Sequence, residues 1–465
     1  MMIETMSDSQ KQVSQKPAQL GAAHLGVSEF DRELTTQFEL IERRQQHMGG
    51  SMLFYHDPVH LVRGEGIWLF DDAGNRYLDC YNNVASVGHC HPRVVNAIAE
   101  QAAQLNTHTR YLHEKVIRYA ERLTNLMPDE LEVCLFTCTG TEANELAMRM
   151  ARTVTGNFGA VVLENSYHGN SNLMVEMSTL ACPSDLCPDY IAVVEPPNTY
   201  RGSFRRGGND DDGLGQRYAQ LADHAIQALH NSDHGVAAFM CDAIFDSQGG
   251  LEAPPDYFQH VYEKIRAAGG LCIADEVQPG FGRTGTMWGF EQYDVVPDIV
   301  TLGKPMGGGH PVGGVVTTRA IYEKFARNAW YFNTYGGNPV SAAAGLAVLD
   351  VIEEQGLVEH TAETGRYLRG RLEALQEQHI VIGDVRGRGL YQAVELVKDR
   401  ETRQPNPDLT SLLPDAMKEE GVLIGLSGRY GNVLKIRPPQ VFTKANADEV
   451  VDSLDRVLDR LVSKA

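Results

Sequence analysis

Residues 299–311 read IVTLGKPMGGGHP, and this stretch indicates both the fold and the place of its chemistry. The apolar run 299–302 is typical of a buried strand, and the glycines after it are typical of a tight turn. Lys304 lies between the two, where a solvated surface charge is poorly placed. Burial disfavours the ammonium form, lowers its pKa and makes the amine a nucleophile that can form a Schiff base with a carbonyl compound. The alternative is a lysine whose ammonium reaches solvent along an apolar surface.

The sequence around this stretch alternates apolar runs with helical patterns. This alternation predicts the α/β class, with a mostly parallel sheet covered by helices on both faces. The clearest helix runs from Glu142 to Arg152, with apolar residues at helical spacing. The predicted strands of the sheet are 132–137, 160–164, 190–195, 236–241, 271–274, 298–302 and 312–317.

Both ends of the chain have other patterns. Residues 61–70 and 77–79 predict a small antiparallel hairpin. A helix at 341–355 leads to an α+β segment that ends with a strand at 433–436 and a helix near 445–461. In the middle of the chain, residues 207–215 predict a solvated loop. We therefore expect a flexible tail at 1–28, the first part of a small domain at 29–95, a large domain at 96–335 and an α+β domain at 336–465.

Composition limits the partners of the chain. The 465 residues include 41 Lys and Arg against 61 Asp and Glu, so the formal net charge is −20. Such a surface repels nucleic acid and anionic membranes, so we expect neither as a partner, and an anion site has to be built locally. The eight cysteines show no disulfide framework. With no signal pattern or membrane-spanning apolar stretch, a cytoplasmic protein is expected.

Four turns that carry chemically useful residues follow predicted strands, where open α/β sheets bind ligands. Residues 139–144 (TGTEAN) open a helix, whose N-terminus attracts anions. Residues 167–169 (YHG) offer an aromatic ring that can stack on a flat heterocycle. Asp275 can pair with a protonated ring nitrogen, and it precedes Lys304 by 304 − 275 = 29 residues, one strand–helix–strand step. The two side chains can therefore reach opposite ends of one cofactor.

Each turn has a plain alternative. The first reads equally well as an ordinary helix cap, and the second as a packing aromatic. An aspartate after a strand can also bind Mg²⁺ in a nucleotide hydrolase, but the sequence has no G-x-x-x-x-G-K-[ST] motif and Lys304 is followed by proline. A metal site at Cys80, His89, Cys90 and His91 is not expected, because adjacent Cys90 and His91 cannot easily bind one ion and no C-x-x-C spacing occurs.

Taken together, these residues resemble the class III aminotransferases, which are fold type I enzymes that use pyridoxal 5'-phosphate (PLP). The resemblance extends from about Ser51 to the C-terminus. It implies a seven-stranded, mostly parallel sheet between helices, with a smaller α+β domain built from both chain ends. The matching motifs are 138–144 (CTGTEAN), 167–169 (YHG), 274–285 (ADEVQPGFGRTG), 303–306 (GKPM) and 331–339 (YFNTYGGNP).

The resemblance also implies roles for individual residues. Lys304 would form the Schiff base and move the proton, and Asp275 would pair with the pyridine nitrogen. Residues that would contact the ring are Val277 behind it, Gln278 at its hydroxyl, Tyr167 stacked on its other face, and His168. Gly140 and Thr141 would hold the phosphate, joined by Thr334 from the neighbouring subunit, which implies a homodimer with shared active sites.

Within the family, the chain is most similar to the ethanolamine-phosphate phospho-lyase branch, which includes enzymes acting on aminophosphonates. The matching stretches are 78–92, 105–113, 303–311 and 432–439. Many transaminases of the family carry a carboxylate-binding arginine shortly before a late Pro-Pro and a glutamate that neutralises it. The corresponding residues here are Lys435 and Gln248. A lysine lacks the planar guanidinium that binds a carboxylate with two hydrogen bonds, and a glutamine lacks the negative charge of the glutamate. The arginine–glutamate switch between two substrates is therefore lost here, unless another residue has taken over its role.

The sequence therefore predicts a PLP-dependent lyase that acts on a small amine carrying phosphate or phosphonate and releases ammonia and an aldehyde. The leaving group would be phosphate from ethanolamine phosphate, or hydroxide from 1-hydroxy-2-aminoethylphosphonate. The alternative is an ω-aminotransferase that uses a keto acid such as pyruvate. For Arg201 and Arg388 a surface charge or a structural ion pair is at least as good an explanation. The candidate substrate residues are Asn82, Asn83, Tyr111, Arg201 and Arg388.

Overall fold

The computed structural model describes residues 37–50, 53–182, 186–207 and 213–463, so the predicted tail at 1–28 and the middle of the predicted loop at 207–215 lie outside the described residues. Contacts divide the chain into two units, Met1–Leu53 and Phe54–Ala465. In the first unit the structure describes helix α1 (Gln37–Met48), none of whose residues is buried. The fold and the site described below belong to the second unit.

The second unit begins with the predicted hairpin, which is confirmed. It consists of β1 (Leu61–Glu65), β2 (Trp68–Asp71) and β3 (Arg76–Asp79), paired antiparallel. Asp71 closes the turn between the last two strands, because its Oδ1 accepts a hydrogen bond of 2.7 Å from the Asn75 amide. Helices α2 (Pro92–Gln104) and α3 (Glu114–Asn125) follow.

A seven-stranded sheet forms the centre of the molecule. Its strands run in the order β4-β10-β9-β8-β7-β5-β6, and β10 alone is antiparallel to its neighbours. Every predicted strand is present, with ends within one residue of the prediction, so the predicted sheet is confirmed. The strands are β4 (Val133–Thr137), β5 (Gly159–Leu163), β6 (Ile191–Val194), β7 (Val236–Cys241), β8 (Leu271–Asp275), β9 (Ile299–Leu302) and β10 (Gly313–Thr317).

Helices cover both faces of this sheet, because successive residues of a strand point to opposite sides. Val161 and Phe239 pack against α6 and α7, whereas Ala160 and Met240 pack with α4 and α8. Helices α2, α3 and α9 surround a further core cluster. The helices after the hairpin segment are α4 (Gly140–Thr155), α5 (Asn172–Glu176), α6 (Leu214–Asn231), α7 (Tyr257–Ala267), α8 (Arg319–Asn328) and α9 (Pro339–Glu354).

The C-terminal segment is an antiparallel sheet with helices, and it joins the N-terminal hairpin. Val422 pairs with Leu78 in parallel, and both belong to one core cluster with the last helix. This agrees with a smaller α+β part built from both chain ends, while the domain boundaries after residues 95 and 335 stay a prediction. The elements are α10 (Leu357–Gln378), β11 (Ile382–Arg388), β12 (Tyr391–Asp399), β13 (Gln404–Pro405), α11 (Pro407–Thr410), α12 (Leu413–Glu419), β14 (Val422–Leu423), β15 (Gly425–Ser427), β16 (Val433–Ile436) and α13 (Lys444–Val462).

None of the described helices combines the length and the apolar character that crossing a bilayer requires.

Candidate active site

Lys304 begins a short 3-10 helix directly after β9. Its backbone has φ +32, in the left-handed region that side chains disfavour, so the surrounding turn holds it there. The hydroxyl of buried Tyr119 donates to the Met306 carbonyl oxygen at 3.0 Å, and this bond helps to hold the turn. A Cβ at Gly303 would lie 3.2 Å from the Gly140 Cα, so the lysine turn packs closely against the start of α4.

The environment of Lys304 favours the neutral amine. Burial lowers the pKa of its ammonium, and the positive charge of Arg437 lowers it further. The carboxylates of Asp246, Asp275 and Asp242 act in the opposite direction without reversing the shift. Burial therefore shifts Lys304 in the direction that the sequence predicts, and its role as the nucleophile stays a prediction.

Asp275 ends the neighbouring strand β8 as a buried carboxylate. Its Oδ2 lies 2.8 Å from the Nδ1 of His168 and accepts a hydrogen bond of 2.9 Å from Asn144. Its Oδ1 accepts from the Val277 amide at 3.2 Å. Burial by itself raises the pKa of Asp275, but the hydrogen bonds and the nearby charges of His168 and Lys304 hold the pKa below its ordinary value. The carboxylate is thus kept ionised inside the protein.

These two side chains face one cavity of about 180 Å³. All the predicted cofactor residues except Thr334 line it. Thr334 is exposed on the segment between α8 and α9. The lining residues are Thr139, Gly140, Thr141, Asn144, Tyr167, His168, Gly169, Asp242, Asp246, Ser247, Asp275, Val277, Gln278 and Lys304.

The N-terminus of α4 forms one end of the cavity. Thr139 caps the helix by accepting a hydrogen bond of 3.1 Å from the Glu142 amide, and Thr139, Gly140 and Thr141 all line the cavity. Gly140 has to be glycine, because an added Cβ would lie 2.6 Å from Cγ1 of Val277. Thr141 Oγ1 adds a hydroxyl and donates to Asn170 at 3.1 Å. This end suits a phosphate group.

The predicted substrate residues differ in how near they come to the cavity. Asn83 is buried and donates to Gln278 Oε1 at 2.6 Å, which places it beside the lining. Asn82 shapes its own turn, because its Oδ1 accepts from the Val84 amide at 3.1 Å. Tyr111 is 67% exposed and stacks on His108.

The two predicted arginines have structural partners. Arg201 donates from Nε to Glu395 Oε1 at 2.6 Å, and Glu395 is almost fully buried. Arg388 donates from Nη1 to Gln292 at 2.7 Å and lies over the Tyr293 ring. Neither arginine lines the cavity. Their roles in substrate binding stay predictions, and the ion-pair explanation describes Arg201 in this structure.

Sequence reasoning missed the acid that contacts Lys435. Asp246 Oδ2 accepts from the Lys435 ammonium at 3.2 Å, and its Oδ1 accepts from the Tyr391 hydroxyl at 2.7 Å. The Arg437 guanidinium lies 3.7 Å away on the same carboxylate. Gln248 interacts instead with its neighbour Ser247 at 3.2 Å. The positive charge of Lys435 is therefore neutralised by the Asp246 carboxylate. Comparing Gln248 with the glutamate of the transaminases could not predict this contact.

Asp242 is a second acid of the cavity that the sequence did not single out. It follows Cys241, which pairs with Ala274, so Asp242 lies beside Asp275 at the ends of neighbouring strands. Burial and the charges of Asp246 and Asp275 raise the pKa of Asp242 to about 7. Asp242 Oδ1 also accepts from the Ile244 and Asp246 amides at 3.0 and 3.3 Å, which shapes the turn that carries Asp246.

The central sheet, the lysine after β9 and the carboxylate after β8 define a fold type I, PLP-dependent enzyme. The Aminotransferase class-III family model matches residues 54–458, so the chain belongs to the class III aminotransferase family. It is 44% identical over 435 residues to the alanine–glyoxylate aminotransferase 2-like protein of Drosophila melanogaster, covering 92% of this chain and 88% of that protein. It is 38% identical over 442 residues to ethanolamine-phosphate phospho-lyase homolog 1 of Caenorhabditis elegans, covering 92% and 94%.

Solved structures give the same two kinds of relative. A phospholyase from Arthrobacter in complex with phosphoethanolamine is 43% identical, with a TM-score of 0.87 over 90% of this chain and 99% of that one. An amine transaminase from an uncultivated Pseudomonas species, solved in its PLP-bound form, is 30% identical, with a TM-score of 0.80 over 89% of this chain and 98% of that one. PLP is accordingly the cofactor of this enzyme.

The residues of the cavity fit PLP. A lysine amine faces the cavity, an ionised carboxylate stands where it can hold a protonated ring nitrogen, and a helix N-terminus can take the phosphate. The absence of a side chain at Gly140 lets the start of α4 lie close to Val277 of the cavity lining. Val277 and Tyr167 would contact the two faces of the ring, and Gln278 its hydroxyl.

Proposed function

We propose that this enzyme catalyses elimination from a small amine that carries a phosphate or a phosphonate, with release of ammonia and an aldehyde. The single observation that carries the proposal is the ion pair that buried Lys435 makes with Asp246. Its side chain is 9% exposed and bonded to Asp246, so the cation at the position of the carboxylate-binding arginine already has an internal carboxylate partner. A 2-oxo acid, the second substrate of a transaminase, would have to displace that partner.

The relatives support both reaction types. The Arthrobacter phospholyase and the Caenorhabditis elegans phospho-lyase homolog support elimination. The Drosophila melanogaster relative is named an aminotransferase-like protein. An ω-aminotransferase is therefore our second candidate, and its specific support is the 44% identity to that relative. It would require the Asp246–Lys435 pair to open when a 2-oxo acid binds. The added contacts of Asp246 with Tyr391 and Arg437 make opening costly and favour the lyase.

The residues of the cavity have distinct tasks in this reaction. PLP, when bound, supplies an aldehyde that captures the substrate amine and a protonated ring that draws electrons from the neighbouring carbon. Lys304, with its lowered pKa, is the base that takes the proton from the amine-bearing carbon. Asp275 stays ionised and holds the ring nitrogen in its protonated form. Loss of the group on the next carbon completes the elimination.

The overall equations balance for both candidate substrates. Ethanolamine phosphate and one water give acetaldehyde, ammonia and inorganic phosphate. The hydroxyphosphonate gives phosphonoacetaldehyde and ammonia, because the water lost as hydroxide and proton is regained when the nitrogen is released. Of the predicted substrate residues, Asn83 has the best structural support for contacting the substrate, since it bonds to Gln278 of the cavity lining.

A homodimer is part of the proposal. Leu112, Trp330 and Tyr335 are large apolar residues that are 94%, 70% and 70% exposed. A groove of about 430 Å³ between α3 and residues 331–336 lies on the segment that carries Thr334. Exposed apolar patches of this kind mark interaction surfaces. They support a twofold contact in which Thr334 of each chain reaches the cavity of the other.

A cytoplasmic location is also proposed. Its support is that Cys80, Cys241 and Cys272 are buried thiols in a chain without a disulfide framework, which is typical of reducing compartments. Fractionation of the source cells with an antibody against the protein tests this location.

The test of the reaction uses purified holoenzyme with ethanolamine phosphate and no 2-oxo acid. Ammonia, aldehyde and inorganic phosphate are measured against time, and the aminophosphonate and a simple ω-amine are run beside it. The proposal predicts many turnovers with equal amounts of ammonia and aldehyde. A reaction that stops after one equivalent per active site and resumes when pyruvate is added would show the aminotransferase instead.

A further inference from the structure

We propose that Asp246 determines reaction specificity by occupying the place on Lys435 that the carboxylate of a 2-oxo acid would need. This inference rests on the proposed lyase function and names the residue that keeps the enzyme from using amino-group acceptors. The Asp246 carboxylate is the internal substitute for an acceptor carboxylate. Its removal should open the site to such acids.

The partners of Asp246 form a ready anion site. The Lys435 ammonium, the Tyr391 hydroxyl and the Arg437 guanidinium all surround one carboxylate, at 3.2, 2.7 and 3.7 Å. Two of these partners carry positive charge and one is a neutral donor. Without Asp246, the Lys435 amine would lose the charge that opposes the lowering of its pKa by burial and by Arg437, and a bound carboxylate would restore that charge among the same three partners.

Lys435 is fixed in place by its strand. It lies in the middle of β16 and pairs with Ala393 on one side and with Gly425 on the other. Its side chain is 9% exposed, so the ammonium cannot turn away into bulk solvent. Its carboxylate partner in this structure is Asp246, which lines the cavity.

The turn that carries Asp246 is also rigid. Buried Phe245, just before it, has φ +49, which is strained for a phenylalanine and sets the direction of the next residue. Three residues further on, the Gly249 carbonyl oxygen accepts two hydrogen bonds, of 3.1 and 2.8 Å, from fully buried Arg386. A carboxylate held on such a turn by three partners is a fixed occupant of the site, in contrast to one that swings away when a ligand arrives.

The experiment compares Asp246→Asn with the wild-type holoenzyme at about pH 8. Asparagine removes the charge that holds this side chain on Lys435, so an incoming carboxylate can displace it. The matched control is Asp242→Asn, which removes an acid of the same cavity that does not bind Lys435; pH 8 lies above the pKa of both acids. The probe is propionate, which has a carboxylate but neither an amine nor a carbonyl group, and binding is measured by calorimetry. The double variant Asp246→Asn/Lys435→Gln tests whether Lys435 is the partner.

We expect Asp246→Asn to bind propionate about tenfold or more tightly than the wild type, because a freed buried cation regains a charged partner. Asp242→Asn should change the affinity by less than about twofold, because the asparagine oxygen can still accept from the Ile244 and Asp246 amides and only a charge that is not bonded to Lys435 is lost. The double variant should lose the gain. In addition, pyruvate should convert bound pyridoxamine phosphate to PLP faster in Asp246→Asn than in the wild type, as followed by absorbance.

Three outcomes would overturn the inference: no gain in propionate binding, an equal gain in Asp242→Asn, or a gain that survives the loss of Lys435. If Asp246→Asn does not fold, Tyr391→Phe loosens the same carboxylate and should give a smaller gain in the same direction, so an unchanged affinity there also overturns it. Failure of the proposed lyase function would be seen in a different measurement. In that case the wild-type enzyme would turn over only when a 2-oxo acid acceptor is present.

Discussion

At the scale of single residues, the site depends on an amine and an acid whose pKa values are both lowered. Burial and Arg437 lower the pKa of Lys304, and the bonds from His168 and Asn144 keep Asp275 ionised despite its burial. The proposed roles of the two residues, a reactive amine and a partner for a positive ring nitrogen, require shifts in these directions. The two residues lie at the ends of adjacent strands, since Asp275 pairs with Thr301 of β9.

Replacement of Lys304 by alanine should abolish covalent attachment of the cofactor and lower turnover about 10²–10⁴-fold, because the amine and the base are lost together. After reduction with borohydride and digestion, mass spectrometry should find the cofactor on the peptide with Lys304 in the wild type and on no peptide in the variant. Lys435→Met is the control and should keep the label at Lys304. Labelling of another lysine in the wild type would contradict this assignment.

His168→Leu should weaken the binding of PLP about tenfold, because Asp275 loses a hydrogen bond to its charged form. The pKa of Asp275 should then rise. Since ionised Asp275 is the form that binds, the loss of affinity should grow as the pH falls. Titration of the apoenzyme with PLP at several pH values measures this, with exposed His224→Leu as control. Equal affinities for His168→Leu and the wild type would refute the role of His168.

The raised pKa of Asp242 predicts a stability effect with a definite sign. Its pKa moves from 3.8 to about 7, so between these values the folded protein keeps a proton that the unfolded chain has lost. Asp242 therefore costs stability increasingly as the pH rises through this window, and the cost stays constant above it. Asp242→Asn should raise the melting temperature by about 2 °C or more at pH 8 and by less at about pH 5. A larger gain at the lower pH would contradict the shift.

Among the elements, the start of α4 can pack closely against Val277 because Gly140 has no side chain. Gly140→Ala should push Val277 or the helix start out of place and weaken PLP binding about tenfold or more, because the added Cβ meets Val277 Cγ1 at 2.6 Å. Gly370→Ala in α10 is the control, since its Cβ meets no atom within 4 Å. That control should leave PLP affinity unchanged and slightly increase stability. Unchanged affinity in Gly140→Ala would show that the cofactor does not approach this turn.

The elements themselves were readable from the sequence, whereas part of the site was not. Strands such as β7 and β8 are short apolar runs bounded by turns, a local signal that gave their ends within one residue. Lys304, Asp275 and the turn at Gly140 follow such strands and could be predicted with them. The contact of Asp246 with Lys435 joins residues 189 positions apart. No local pattern encodes that contact, and the comparison of motifs drew attention to Gln248 instead.

The arginines show the same limit. Arg201 and Arg388 were singled out by charge alone, and charge does not reveal which acid or amide a guanidinium will meet. The partner of Arg201, Glu395, lies on β12, far along the chain. Arg437, which the sequence offered only as part of a motif, turns out to contact Gln278 and Asp246 beside the cavity.

At the scale of the whole molecule, the exposed apolar residues near Thr334 predict an assembly. Leu112→Asp and Trp330→Asp should shift the protein from dimer to monomer and lower activity with it, because each places a charge in the proposed contact. Ile380→Asp, at a position that is 73% exposed elsewhere on the chain, should remain dimeric. Analytical ultracentrifugation gives the masses. A monomeric wild type with full activity would contradict the shared site.

The most direct test of elimination is the absorption spectrum of the holoenzyme after it has consumed many equivalents of ethanolamine phosphate without any 2-oxo acid. Because a lyase returns the amino group as ammonia, we predict that the cofactor is recovered in its aldehyde form when the substrate is exhausted. Accumulation of the amine form, with the substrate largely unconsumed, would contradict the account and identify the enzyme as a transaminase.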